Sequence, residues 1–185
     1  IISEDKIMAK PRLGEVYRRY EQKCFKSGAM DFDDLLFKTN QLFDKSPTTL
    51  SKYQNLFKFI LVDEYQDTNF AQYLIIKKLS SQHKNICVVG DDAQSIYSFR
   101  GADIENILNF KNDFTGAQIY KLEQNYRSSK VIVTAANSII DNNKNQIKKE
   151  VWTSNEEGEK INLIKTRTDN DEGKAIASSI IEKSM

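Results

Sequence analysis

Apolar positions recur at helical spacing in the first third of the chain and gather into short runs in its middle. Between residues 10 and 27, Leu13, Val16, Tyr17, Tyr20 and Cys24 repeat among Arg12, Arg18, Arg19 and Lys23, the pattern of an amphipathic helix. A second helix is expected over residues 31–43, with Asp31 as its cap and Leu35, Leu36, Thr39, Leu42 and Phe43 as its face. Pro47 breaks that pattern, and a short helix is expected over 49–56. The pattern then alternates: strand 59–63, helix 68–80, strand 85–90, helix 103–110, strand 118–122 and helix 129–142. Short apolar runs separated by helical stretches of this length predict βαβ crossovers, hence an α/β fold whose parallel sheet is covered by helices.

Ser128 or Ser129 is placed to cap the last of these helices, with Ile132, Ala135, Ala136, Ile139 and Ile140 turned inward. From Asp141 the composition becomes polar and ends the helix. Residues 152–160 read as loop, 160–166 alternate as a strand, and Ala175, Ile176, Ile180 and Ile181 mark a final helix. Residues 160–185 read as the opening βα unit of a second domain. Neither internal repeats nor low-complexity stretches occur.

Composition narrows the picture only a little. A length of 185 residues suits one domain, or one domain and a fragment, and 39% hydrophobic residues are enough for a core. The formal net charge of +1 gives no global pull toward nucleic acid, so any such binding must be local. Cys24 and Cys87 make no disulfide framework, and Cys87, inside the run Ile86-Cys87-Val88-Val89, reads as a core filler. The apolar runs are too short to span a bilayer and the start has no signal-peptide pattern, so the expectation is a soluble, reducing, cytoplasmic setting with no membrane partner. An opening of Ile1-Ile2-Ser3 in place of Met suggests an excised piece of a longer protein.

Three segments carry chemistry. In the first, the run Phe59-Ile60-Leu61-Val62 ends in two adjacent acids, Asp63 and Glu64. A buried parallel strand delivers carboxylates to a sheet edge in this way, and phosphoryl transfer from ATP needs one for magnesium and a second group to orient or deprotonate water. The plainer alternative is a solvated acidic turn; Asp67 is expected to cap the following helix. In the second, Gln94 lies in a polar loop after a strand, suited to sense a terminal phosphate without fixing charge there. Tyr97, Phe99 and Arg100 follow closely, two ring faces and a guanidinium, an interleaving that suits single-stranded nucleic acid. The plainer alternative buries Tyr97 and Phe99 under the next helix.

In the third, Tyr126 and Arg127 stand between a strand and a Ser-capped helix. Tyr126 offers a flat face to a purine base, and Arg127 could reach phosphate oxygens as an arginine finger; otherwise it bonds carbonyls and carboxylates at a domain edge. A phosphate-cradling loop is missing: the only Gly-Lys pair is Gly173-Lys174, followed by Ala175. His83 sits in a polar turn and reads as a solvated surface residue. Zinc spacings and a Ser/His/Asp set are absent.

In this order and spacing the three segments closely resemble superfamily 1 DNA helicases of the UvrD/Rep/PcrA type. Asp63-Glu64-Tyr65-Gln66-Asp67-Thr68 resembles motif II, the Walker B segment. Gly90-Asp91 through Gly101-Ala102 resembles motif III, and Gln124-Asn125-Tyr126-Arg127-Ser128-Ser129 motif IV. The stretch Ala29 to Leu36 is similar to the point where that family's chain leaves subdomain 1B and re-enters 1A.

The resemblance implies a partial RecA-like P-loop NTPase domain with a parallel sheet, flanking helices and a helical N-terminal piece. Residues 1–30 would be the end of 1B, 31–150 the second half of 1A, and 151–185 a linker and the first strand and helix of 2A. It implies ATP and Mg2+ as cofactors, with Asp63 on the metal, Glu64 activating water, and Gln94 and Arg127 at the γ-phosphate. Tyr126 would stack on adenine, and Tyr97, Phe99 and Arg100 would touch single-stranded DNA. Where the best-known members carry Trp, position 99 is Phe, which keeps the stacking face with less area. The partners implied are single-stranded DNA, junctions of single and double strands, and the missing Walker A and 2A/2B parts of the same protein.

A parent acting in DNA repair or replication would translocate and unwind, while this segment alone would lack turnover. A helicase-nuclease is the close variant, and a non-catalytic nucleic-acid-binding module the rival class. Convergence of the three segments around one triphosphate is the central expectation.

Overall fold

The computed structural model describes residues 12–184, which fall into two compact units divided between Ile119 and Tyr120. Residues 10 and 11 of the first expected helix lie outside the described residues; within them α1 runs Leu13–Lys26. Helix α2 spans Phe32–Lys45, and Asp31 caps it by accepting the N–H of Asp34 at 2.8 Å. The Tyr20 hydroxyl donates to the other Asp31 oxygen at 2.8 Å, tying α1 to the start of α2. Those two donors, the Asp34 N–H first, hold the Asp31 carboxyl below its usual range. Helix α3 spans Pro47–Leu56 and begins at the proline instead of after it. Proline at the first helical position forfeits only an N–H that has no partner there anyway, and Ser46 caps the turn through Thr49.

Strands β1 (Ile60–Val62) and β2 (Ile86–Val88) pair in parallel, Ile60 with Ile86, Leu61 with Cys87 and Val62 with Val88. Helix α4 (Phe70–Ser80) makes the crossover between them. Its start carries a reciprocal capping box, Asn69 with Gln72, so Asn69 and not Asp67 is the cap. Helix α4 packs on α2 and α3. Asn40 donates to the Ala71 carbonyl at 2.9 Å, and the nearly buried Gln54 donates to the Lys78 carbonyl at 2.8 Å. The mixed helix-and-strand architecture with a small parallel sheet agrees with an α/β fold.

Several expected elements differ. Cys87 is exposed, because residues alternate sides along a strand and Cys87 shares the open face with Leu61, which is 77% exposed. Strands are not formed at 118–122 or 160–166. A strand needs a partner for its N–H and C=O groups, and neither stretch meets one among the described residues; the isolated Gln124–Trp152 bridge lies outside both. The expected helix 103–110 is two short ones, α5 (Glu105–Leu108) and α6 (Phe110–Asp113). They part at Asn109, which ends α5 by leaving helical geometry at φ −93° and ψ 5°, its N–H still on the Glu105 carbonyl at 2.9 Å.

His83 is half-buried instead of solvated, its Nδ1 accepting the Asn85 N–H at 3.0 Å. Leu13, Val16, Tyr17, Tyr20, Leu35, Leu42, Ile132 and Ile139, expected to face a core, are exposed, because the described residues cover each of them only in part.

The core of the first unit gathers around Phe43, Tyr65, Tyr73 and Ile107. Tyr65 is fully buried, with Phe110 edge-on to its ring at 5.6 Å, and burial pushes its phenol up to about 12. Its hydroxyl has no hydrogen-bond partner. Tyr65→Phe is therefore expected to leave stability unchanged or raise it by up to about 1 kcal/mol, read from urea unfolding. A loss beyond about 1 kcal/mol would mean that the hydroxyl is satisfied after all.

In the second unit, α7 (Lys130–Ile140) carries the buried Val133, and α8 (Asp169–Ser184) is exposed along most of its length. Ser129 stands at the cap position of α7, but its side chain makes no capping bond. Instead the N–H groups of Lys130 and Val131 donate to the carbonyls of Glu156 and Glu157 at 3.1 and 3.2 Å. Among the described residues no helix is long and apolar enough to cross a membrane.

Candidate functional site

Asp63 and Glu64 follow immediately on β1, where the ladder continues one step: Val89 N–H reaches the Val62 carbonyl at 2.8 Å and Tyr65 N–H the Val89 carbonyl at 2.9 Å. Both acids are exposed while the next two residues, Tyr65 and Gln66, are buried. One Asp63 oxygen accepts the Glu64 N–H at 2.9 Å. Glu64 turns the chain in the left-handed region, φ 49° and ψ 43°. For a residue with a Cβ that conformation costs roughly 1 kcal/mol or more and persists only where the surroundings over-determine it. Here the surroundings are the ladder on one side and the buried turn Tyr65–Asp67 on the other.

Gln66 joins this acidic turn to the loop after β2. Its Nε2 donates to Glu64 Oε2 at 2.8 Å and its Oε1 accepts the Asp91 N–H at 3.0 Å. Asp91 in turn takes the Gln94 amide on Oδ2 at 2.7 Å and the Ala93 N–H on Oδ1 at 3.0 Å. Gly90 permits the approach: a Cβ there would stand 2.6 Å from Gln66 Oε1 and 2.9 Å from Ile107 Cδ1. Glu64 and Gln94 thus belong to one hydrogen-bonded chain, through Gln66 and Asp91.

Beyond Gln94 the chain returns to the same turn. Asn106 donates to the Thr68 carbonyl and hydroxyl at 3.0 and 3.2 Å, Asp103 N–H reaches the Thr68 carbonyl, and Asn69 bridges to Ala102. Ahead of these anchors Tyr97, Phe99 and Arg100 are brought together and left open. The rings lie 6.0 Å apart and tilted by 45°, and the Arg100 guanidinium is 5.4 Å from each. Phe99 is 76% and Tyr97 39% exposed, so the burial expected on the plainer alternative does not occur.

Tyr126 and Arg127 belong to the second unit. Both are exposed, in a turn made by Asn125, whose side-chain oxygen accepts the N–H of Arg127 at 2.9 Å and of Ser128 at 2.7 Å. Asn155 donates to the carbonyls of Tyr126 and Ser128 at 3.2 and 3.0 Å, and Tyr126 Oη donates to Gln124 at 3.0 Å.

A magnesium ion holds several waters and takes phosphate oxygens as ligands, so it asks one or two carboxylates of a protein. An exposed Asp63 fits that demand; among the described residues no cluster of three or more His, Cys, Asp or Glu offers a cage. Sequence reasoning missed Gln66 and Asn125. Gln66 reads as an ordinary amide until Asp91, 25 residues on, is seen against it, whereas Asn125 bonds the N–H groups of Arg127 and Ser128 beside it, a local turn that its residue type could have signalled.

Comparison with known proteins gives this geometry its context. The UvrD/REP helicase N-terminal domain matches residues 3–115, and the UvrD-like helicase C-terminal domain matches residues 120–184. The chain belongs to the UvrD/Rep/PcrA-type helicase family. Among its relatives, it is 52% identical over 165 residues to the probable DNA helicase II homolog of Rickettsia felis, covering 89% of this chain and 25% of that protein. It is 49% identical over 168 residues to the ATP-dependent DNA helicase PcrA of Bacillus subtilis, covering 91% and 23%. The PcrA helicase of Staphylococcus aureus (strain Mu50) matches at 49% over 167 residues, covering 90% and 23%. The chain thus spans about a quarter of the length of the curated relatives it matches.

Proposed function

We propose that this chain is part of an ATP-dependent DNA helicase that couples ATP hydrolysis to movement on single-stranded DNA and to unwinding of duplex. The observation that carries the reading is the hydrogen-bonded chain from Glu64 through Gln66 and Asp91 to Gln94, continuous with a loop that presents two rings and a guanidinium to solvent. A binding module has no use for acids at a strand end joined in this way. The names of the relatives support the same substrate and nucleotide.

In this mechanism Asp63 would hold magnesium, whose chemistry when bound would be to neutralise phosphate charge. Glu64 orients the attacking water and takes its proton. Gln94 senses the γ-phosphate and, through its loop, passes that state to Tyr97, Phe99 and Arg100 on the strand. Bases stack on the two rings whatever their sequence, and Arg100 takes a backbone phosphate. Tyr126 stacks on adenine, and Arg127 stabilises charge developing on the γ-phosphate.

The fold proposed is a partial RecA-like domain, with residues 31–150 as the second half of 1A, residues 1–30 as the end of 1B and 151–185 as the start of 2A, and with the remaining parts of the same protein supplying the phosphate loop. Because the 185 residues contain no such loop, the segment alone is proposed to hydrolyse no ATP.

The test is ATP hydrolysis by the full-length protein with and without oligo(dT), alongside strand displacement from a duplex with a single-stranded tail. DNA-stimulated hydrolysis with unwinding is expected. Oligo(dT) binding without any hydrolysis would overturn the motor reading in favour of a binding module.

A further inference from the structure

The amide of Gln66 is 1% exposed and has both ends committed, Nε2 to the Glu64 carboxylate and Oε1 to the Asp91 N–H. The orientation is forced by chemistry: a backbone N–H can only donate and a carboxylate oxygen accepts, so the amide oxygen faces Asp91 and the nitrogen faces Glu64. The same residue's carbonyl accepts the Ser95 hydroxyl at 3.4 Å, a second tie to the loop that bears Gln94. Crowding fixes the side chain further, because the space against Oε1 is filled by Gly90 with no room for a Cβ. A planar fork with one donor and one acceptor at this length is what the two partners demand. Asparagine is one methylene too short, glutamate lacks the donor, and methionine lacks both groups.

We infer that Gln66 is a positioning residue for hydrolysis: one amide locks the Glu64 carboxylate to the backbone of the loop carrying Gln94, so that the acid and the loop shift together. The inference rests on the reading of Glu64 as the acid that activates water. Its two arms have separate consequences. The Nε2 arm sets where the Glu64 carboxylate stands against the water. The Oε1 arm carries displacement of the Asp91–Ser95 loop, and hence of the DNA-facing rings beyond it, back to that carboxylate.

The experiment uses the full-length helicase with Gln66→Glu, Gln66→Met and, as control, Glu64→Gln. Steady-state ATP hydrolysis is measured with and without oligo(dT), with the folded fraction taken from thermal unfolding. Both Gln66 substitutions are expected to lower kcat about tenfold with KM for ATP held within about twofold, the signature of an interaction used in the transition state and not in binding. They are expected to differ in DNA stimulation. Gln66→Glu keeps an acceptor for the Asp91 N–H and keeps the stimulation ratio, whereas Gln66→Met loses both arms and loses the ratio.

Wild-type kcat per folded molecule in either variant, or equal stimulation ratios in the two, would overturn the inference. If a second buried carboxylate prevents folding, Gln66→Met decides alone: kcat and stimulation fall with KM preserved, or the inference falls. Wild-type hydrolysis by Glu64→Gln would instead remove the reading beneath it, so the two failures are distinguishable.

Discussion

Glu64→Gln in the full-length protein is expected to reduce DNA-stimulated ATP hydrolysis by about 10²- to 10⁴-fold, the range a positioned general base contributes. The substitution is chemically narrow. Glutamine has the same length, accepts the Gln66 amide through its own oxygen, and meets the same left-handed backbone at φ 49°. What is removed is the negative charge and, with it, the ability to take a proton. Affinity for ATP and for single-stranded DNA should therefore stay within about threefold of wild type, read by nucleotide and oligo(dT) titrations, while kcat collapses. Hydrolysis at the wild-type rate would end the assignment of Glu64. Parallel loss of nucleotide binding and of kcat would point to a ground-state role.

Phe99→Ala is expected to weaken single-stranded DNA binding by about 5- to 150-fold, matching the roughly 1–3 kcal/mol that one base–aromatic stack contributes. At 76% exposure the ring contributes little to folding, so thermal stability should barely move and the loss can be read as binding. Arg100 keeps the Tyr97 face at 5.4 Å after the change, which preserves its orientation toward a phosphate. Nucleotide affinity should be unchanged because Phe99 bonds nothing in the turn of Asp63 and Glu64. Fluorescence anisotropy with labelled oligo(dT) checks both claims, and Phe99→Trp, which enlarges the ring, should move affinity the other way. Unchanged DNA affinity in Phe99→Ala would count against stacking.

The helices of the first unit were legible because their signals are local. Spacing of Leu35, Leu36, Thr39, Leu42 and Phe43 and the cap at Asp31 specify α2 without reference to anything distant. The same holds for α4 as a helix, though not for its cap, where Asn69 with Gln72 outcompetes Asp67 because only that pair can bond reciprocally. Strands were less legible, since an apolar run becomes one only when another run lies beside it. Residues 59–63 and 85–90 found each other, whereas 118–122 and 160–166, whose apolar residues are interrupted by polar ones, found no neighbour among the described residues.

For the candidate site, sequence reasoning reached Asp63, Glu64, Gln94, Tyr97, Phe99, Arg100, Tyr126 and Arg127 from residue chemistry and from resemblance. It could not reach the link that joins Glu64 to Gln94. Gln66 reads as an ordinary polar residue until its two partners, one two positions away and one 25 positions away, are seen on either side of it. For Tyr97 and Phe99 the residue types left open both exposure to a strand and burial under the next helix; the anchors at Thr68 with Asn106 and Asn69 with Ala102 pin the loop at its far end and leave the rings outside.

The start of α7 has a consequence for Arg127. Its turn is clasped by chain roughly thirty residues downstream: Trp152 against Asn125, Asn155 against Tyr126 and Ser128, Glu156 and Glu157 against Lys130 and Val131. The arginine therefore takes its placement from a stretch that it neither adjoins nor resembles. Any pull on residues 152–157 reaches the backbone that bears Arg127, and whatever steadies that backbone steadies the distant stretch in return.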